Sequence, residues 1–185
     1  MSCGVCPWWL GYVIAGPWRK LWHDPRKILG PYLAEGMTVL EPGPGIGFFT
    51  LDIARLVGRA GRVVGVDIQP RMLEALRRRA RKAALLDRID ARLAPADGLG
   101  IDDLKGRVDF VLAFAVVHEL PDAGRFFAEA RRATKPAGRL LLSEPRMHVS
   151  EAAFDATLKV AEGSGFEVQD RPSIPMTRSA LLAAR

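Results

Sequence analysis

The densest chemistry in the chain lies in VLEPGPGIGFFT, residues 39–50: an apolar run, the acid Glu41, glycines at Gly43, Gly45 and Gly47, and the start of an amphipathic pattern. Glycines at alternate positions let a backbone turn sharply and pass close beneath a ligand. Two phosphate-binding patterns are excluded residue by residue. In the fingerprint G-x-G-x-x-G, either Phe48 or Thr50 stands where the third glycine belongs, and no G-K-[ST] follows. Glu41 at the mouth of the loop repels a pyrophosphate but attracts an ammonium group. Pro44 removes one of the backbone donors that a phosphate needs. The loop therefore suits a ligand that carries positive charge. Further along stand Asp67, Asp97, the pair His118 and Glu119, and the group Glu144, Arg146 and His148.

These residues recur at the ends of short apolar runs that alternate with helical patterns, the sequence form of a parallel sheet covered by helices. The spacing predicts strands over 37–41, 62–67, 89–94, 108–115, 139–144, 166–170 and 180–184. Helices are expected over 46–57, 70–84, 122–134 and 150–163, and from the Asp24–Pro25 pair toward Leu33. About nine residues separate the last two strands, too few for a crossover helix, so that pair is expected to be antiparallel. Ligands of such sheets sit outside the carboxyl ends of the strands, where Glu41, Asp67, Asp97, His118, Glu119 and Glu144 all fall.

S-adenosylmethionine, with an α-ammonium group, a sulfonium, a ribose diol and an adenine, meets a candidate for each part. The glycines pass under the methionine portion, Asp67 accepts the ribose hydroxyls, Ile68 offers an adenine face, and Asp97 in LAPADG accepts from an exocyclic amine. At these residues the chain resembles the class I S-adenosylmethionine-dependent methyltransferases. VLEPGPGIGFFT is similar to the first motif of that family, VVGVDIQPRML to its second, RLAPADG to its third and VDFVLAFAVVHELPD to its fourth. The resemblance implies an α/β three-layer sandwich, one domain over 31–185, whose seven-stranded, mostly parallel sheet has the order 3-2-1-4-5-7-6 with strand 7 antiparallel. It implies S-adenosylmethionine as cofactor, S-adenosylhomocysteine as product, and cofactor contacts at Glu41, Gly43, Gly45, Gly47, Asp67, Ile68, Asp97 and Phe114. Of catalytic residues it asks little, because transfer from a sulfonium needs mainly alignment and exclusion of water. His118 is the candidate base, with an unperturbed pKa of about 6.5; the alternative is a histidine that shapes the pocket without taking a proton. Glu119 either orients His118 or a substrate amine, or caps the next helix. Glu144, Arg146 and His148 are read as scaffold, with Arg146 open to an acidic substrate.

The loop after strand 4 reads AFAVVHEL, not the Asn/Asp-Pro-Pro-Tyr/Phe of nucleic-acid amine methyltransferases, which favours a small-molecule acceptor. The motifs look most like the branch of quinone-biosynthesis and arsenite methyltransferases, without a sizeable insertion between strands 5 and 6. A chain of 185 residues that is 49% hydrophobic suits one core. Its net charge of +6 comes from six lysines and 21 dispersed arginines, and the cluster over 77–82 follows helical spacing, so a solvated helix face is expected there in place of a nucleic-acid patch.

Residues 1–30 hold all four tryptophans, Trp8, Trp9, Trp18 and Trp22. They are read as a lid over a flat or apolar acceptor, as packing for a first helix, or, more weakly, as a membrane-surface contact flanked by Arg19 and Lys20. The apolar run over 5–16 is shorter than the roughly 20 residues that cross a bilayer. Cys3 and Cys6 are half a zinc site or, preferably, two reduced thiols, which suits a cytoplasmic location. Two other readings stand beside methyl transfer: a protein of this fold that binds the cofactor without turnover, and an NAD(P) oxidoreductase, which the loop disfavours.

Overall fold

The computed structural model describes residues 22–185. Cys3, Cys6, Trp8, Trp9, Trp18, Arg19 and Lys20 lie outside the described residues, and with them the thiol pair and most of the expected lid; Trp22 is exposed. Seven strands, β1 (Thr38–Pro42), β2 (Arg62–Asp67), β3 (Ile89–Leu93), β4 (Val108–Phe114), β5 (Thr134–Pro145), β6 (Phe166–Asp170) and β7 (Thr177–Ala184), follow the order β3-β2-β1-β4-β5-β7-β6. Strand β7 runs antiparallel to both β5 and β6, as the short connection requires. Helices α1 (Pro25–Leu29), α2 (Thr50–Leu56), α3 (Pro70–Lys82), α4 (Ala123–Ala133) and α5 (Glu151–Gly163) flank the sheet. The described chain forms two compact units, 22–96 and 97–185. No helix among the described residues is long and apolar enough to cross a membrane.

In the first unit β1 pairs with β2 and β2 with β3, all parallel, with Val39 beside Val63 and Val63 beside Ile89. Val39, Leu40, Val63 and Val64 are fully buried, the continuous apolar run that a strand covered on both faces demands. Helix α3 opens on Pro70, whose ring presets the helical φ. It buries Met72, Leu73, Leu76 and Ala80 and leaves Arg71, Arg78, Arg81 and Lys82 exposed. Most of the arginine cluster is thus a solvated helix face. Helix α2 starts four residues later than its apolar spacing suggests, because Gly45 and Gly47 hold φ of +54° and +86°, outside the helical region. Helix α1 ends at Leu29, although Leu33 N–H still reaches Leu29 O at 3.0 Å, so the chain coils on as a turn.

The second unit contains β4, β5, β7 and β6. Strand β5 begins at Thr134, five residues before its apolar run, by pairing Thr134 with Val108 ahead of a bulge; Gly138 lies against Thr134 there, where a side chain has no room. Strand β7 likewise begins three residues early, at Thr177, opposite Pro145. Asp122 caps α4 by accepting Arg125 N–H at 2.9 Å, and Ser150 caps α5 by accepting Ala153 N–H at 3.2 Å. Phe110, Phe127, Phe154 and Phe166 fill the core, with the Phe127 ring edge-on to Phe126 at 5.0 Å and to Phe166 at 6.3 Å. Phe127→Ala is expected to lower stability by about 3–5 kcal/mol through the cavity it leaves, read as a lower urea midpoint at unchanged slope.

Candidate functional site

In the first unit the glycine loop is folded back on β2. Gly43, Gly45 and Gly47 all have positive φ, +66°, +54° and +86°, which a side chain rarely adopts. Their N–H groups are committed within the protein. Gly43 donates to Val66 O at 2.8 Å, Gly45 to Asp67 Oδ2 at 3.2 Å and Gly47 to Pro44 O at 2.9 Å. Pro44 has no N–H to add, so this loop is poorly equipped to line a phosphate with donors. Around Gly45 the space is open, with nothing within 4 Å of where a Cβ would stand. At Gly47 a Cβ would run into Leu76 Cδ1 of α3, so that glycine is needed for packing.

Two supports of the loop escape a motif reading. Gly65, in the middle of β2, leaves room for Pro44, whose Cγ would stand 3.1 Å from an added Cβ. Arg79 turns back from the otherwise solvated face of α3 and donates from Nη1 to Ile46 O at 2.7 Å. A lone glycine within a β-strand and an arginine in the last turn of a helix carry weak signals in sequence; a glycine inside a strand does mark a close backbone approach.

Asp67 closes β2 and is buried. Its Oδ1 accepts Gln69 N–H at 2.9 Å and its Oδ2 accepts Gly45 N–H at 3.2 Å. Burial pushes its carboxyl above the ordinary value, against the pull of the backbone donors at Gln69, Gly45 and Ile68. A carboxylate held at such a position suits a ligand that brings hydroxyl donors or positive charge. Ile68, the next residue, is 54% exposed, an apolar side chain left open beside that carboxylate. Glu41, at the end of β1 opposite Gly65, is buried as well.

In the second unit, Ala115 follows β4 with φ of +55° and is held by its N–H to Ser143 O at 2.7 Å. The chain then enters a 3-10 turn, Val117–Glu119. Glu144, buried near the end of the neighbouring parallel strand β5, spans this turn: Oε1 accepts Val117 N–H at 2.8 Å and Oε2 lies 2.5 Å from His118 Nδ1. It is thus Glu144 that orients His118, while the charge of Glu119 also favours the imidazolium. The hydrogen bond to Glu144 raises the His118 pKa above its ordinary value, opposed by partial burial. The His148 ring stacks on His118, centroids 5.7 Å apart and planes within 11°. Arg146 is used locally, its Nε donating to Thr177 O at 2.9 Å. Phe114 is half-buried at the end of β4. Asp97 is exposed and meets Arg125 at 3.5 Å, a water-screened pair that a ligand amine can replace.

The open space at Gly45, the acceptor-rich Asp67 and the exposed Ile68 fit the methionine, ribose and adenine portions of S-adenosylmethionine. The strand order and the loop together define the Rossmann-like methyltransferase class. A family model described as a methyltransferase domain matches residues 33–168, and the chain belongs to that family, the class I S-adenosylmethionine-dependent methyltransferases. An arsenite methyltransferase of Halobacterium salinarum is 33% identical over 112 residues, 60% of this chain and 28% of that protein. The ubiquinone/menaquinone biosynthesis C-methyltransferase of Brucella canis is 30% identical over 141 residues, 74% of this chain and 52% of that protein. The chain therefore spans about half or less of the length of these curated relatives. The crystal structure of a S-adenosylmethionine-dependent methyltransferase from Aquifex aeolicus shares the fold with a TM-score of 0.84 at 24% identity, covering 97% of this chain and 98% of that one.

Gly47→Ala is expected to destabilise the protein by about 1–3 kcal/mol, from the strained φ and the forced displacement of Leu76, and denaturant titration measures it. A pH effect follows from His118. Its folded-state pKa is raised, so its contribution to stability is complete below the unfolded value of about 6.5 and is lost as pH rises through the folded value. The gap in Tm between the protein and its His118→Gln variant should be widest below pH of about 6.5 and should narrow above it.

Proposed function

We propose that the protein transfers the methyl group of S-adenosylmethionine to a small-molecule acceptor. The observation that carries this reading is the glycine loop of residues 43–47, whose three glycine N–H groups are committed internally beside the buried Asp67 carboxylate. Such a loop presents acceptors and open space where a pyrophosphate needs donors, which also weighs against a nicotinamide dinucleotide. In this reading Glu41 faces the ammonium group, Gly43, Gly45 and Gly47 carry the backbone under the methionine portion, Asp67 accepts from the ribose diol and Ile68 covers one adenine face. Asp97 and Phe114 are assigned to the adenine side by their order in the motif pattern.

The donor supplies a methyl group already activated on sulfonium, so the chain's own work is to bind, orient and exclude water. His118 serves as the proton acceptor, with Glu119 adding negative charge near the ring. The small-molecule class is supported by the 3-10 turn after β4, where the nucleic-acid amine enzymes carry a proline-rich loop, and by the named activities of the two curated relatives. Residues 1–30 as a cover over the acceptor and residues 31–185 as the catalytic domain belong to the same reading, as does residence in the cytoplasm, where this donor is made.

Calorimetry tests the donor. S-adenosylmethionine should bind and NADPH should not; binding of NADPH alone would defeat the proposal. Asp67→Ala should weaken donor binding by about 1.5–3 kcal/mol through loss of charged hydrogen bonds, and an unchanged affinity removes Asp67 from the site.

A further inference from the structure

Asp97, assigned above to the adenine amine, lies in the loop after β3, and one buried acid of α4 governs what surrounds it. Glu129 engages that loop and Arg125 at once: Oε2 accepts Leu99 N–H at 2.7 Å and Oε1 accepts Arg125 Nε–H at 3.0 Å. Gly98, between Asp97 and Leu99, is drawn in so closely that an added Cβ would stand 2.6 Å from Glu129 Oε1 and 3.2 Å from Arg125 Nη2. The backbone beside Asp97 is therefore seated on the Glu129 carboxylate.

Arg125 faces both acids with one guanidinium, and the two contacts are unequal. Its Nε is bonded to Glu129, whereas its Nη2 stands 3.5 Å from Asp97 Oδ2, longer than a hydrogen bond. Burial explains the difference. The Glu129 charge is out of water and depends on its donors, while Asp97 is exposed and keeps its hydration. Asp122, a third acid here, takes the Arg125 backbone N–H as the helix cap. A guanidinium grips a carboxylate best through two parallel N–H groups, and Arg125 lacks that grip on Asp97 as long as Glu129 holds Nε.

An adenine amine and the Arg125 guanidinium both donate to Asp97, so they compete for it. We infer that, on the methyltransferase reading above, Arg125 is a built-in competitor of the adenine amine for Asp97, and that Glu129 is the positioning residue that keeps this competitor weak enough to be displaced. Donor and spent cofactor carry the same base. The competitor therefore lowers the affinity for both and shortens the stay of S-adenosylhomocysteine.

Substitutions in this trio have effects of opposite sign. Arg125→Gln removes the competitor and leaves Asp97 free for the amine. Glu129→Gln keeps the side-chain shape and a carbonyl oxygen for Leu99 N–H, but it removes the charge that holds Nε, so Arg125 can turn both arms of its fork on Asp97. A purely structural role for Glu129 gives a different pattern, because a displaced loop weakens any nucleoside ligand alike and is not repaired by removing Arg125.

Calorimetry on the full chain with S-adenosylhomocysteine and S-inosylhomocysteine tests this, because the second ligand carries an oxygen in place of the exocyclic amine. The unaltered protein should bind the adenine ligand more tightly. Arg125→Gln should tighten S-adenosylhomocysteine binding by about threefold without tightening S-inosylhomocysteine binding. Glu129→Gln should weaken S-adenosylhomocysteine binding by about fivefold, and the double variant should return to within about twofold of the unaltered protein. Should Glu129→Gln fail to fold, as judged by its thermal transition, the exposed Arg125→Gln decides alone. Equal affinity of the unaltered protein for the two ligands, no tightening in Arg125→Gln, equal weakening of both ligands in Glu129→Gln, or no recovery in the double variant would each overturn the inference. Failure of the unaltered protein to bind either S-adenosylmethionine or S-adenosylhomocysteine overturns the underlying function instead.

Discussion

A carboxylate at the end of one parallel strand that takes a backbone N–H from the loop after the neighbouring strand is the interaction on which both candidate sites rest. Asp67 at the end of β2 holds Gly45 in the loop after β1, and Glu144 near the end of β5 holds Val117 in the turn after β4. Parallel neighbours finish at the same level, so an acid at one end reaches the adjacent loop without leaving its strand. Each acid keeps a second oxygen for another task. Asp67 takes Gln69 N–H at the entry of α3, and Glu144 takes the His118 ring.

Burying such acids is unfavourable unless hydrogen bonds compensate, and the two solve the problem differently. Asp67 relies on neutral backbone donors, and burial still raises its pKa, so it remains responsive to a ligand that supplies further donors. Glu144 pairs with a group that can itself become charged, and the balance appears on the histidine, whose pKa rises. One arrangement suits holding a polar or cationic molecule; the other suits moving a proton. The glycine loop shows the same economy of donors. Its N–H groups shape the loop internally, and the left-handed glycines leave open space where side chains would otherwise stand.

Several elements were legible in the chain because their signals are local. The strand over 62–67, the Pro70 opening of α3 and the antiparallel ending follow from apolar runs, a preset φ and a short connection. Other features depend on partners far along the chain. Helix α2 starts at Thr50 because the preceding glycines adopt positive φ, and β5 starts at Thr134 because Val108 offers it a partner before the bulge. Gly65 reads as an ordinary strand glycine until Pro44 is placed over it, and Arg79 reads as one more solvated arginine until Ile46 O is placed within its reach.

By itself the sequence determined the class of fold, through the alternation of apolar runs and helical periods. It also determined the character of the loop ligand, through a missing third glycine, an acid and a proline. Those are properties of residue type and spacing. What tertiary structure alone decided is the pairing of His118. Glu119 is its neighbour in sequence, yet Glu144, 26 residues away, takes its Nδ1, because β4 and β5 pair in parallel and bring their ends together. Spacing along the chain carries no record of which strands pair, so the role of Glu144 emerges only from the folded sheet.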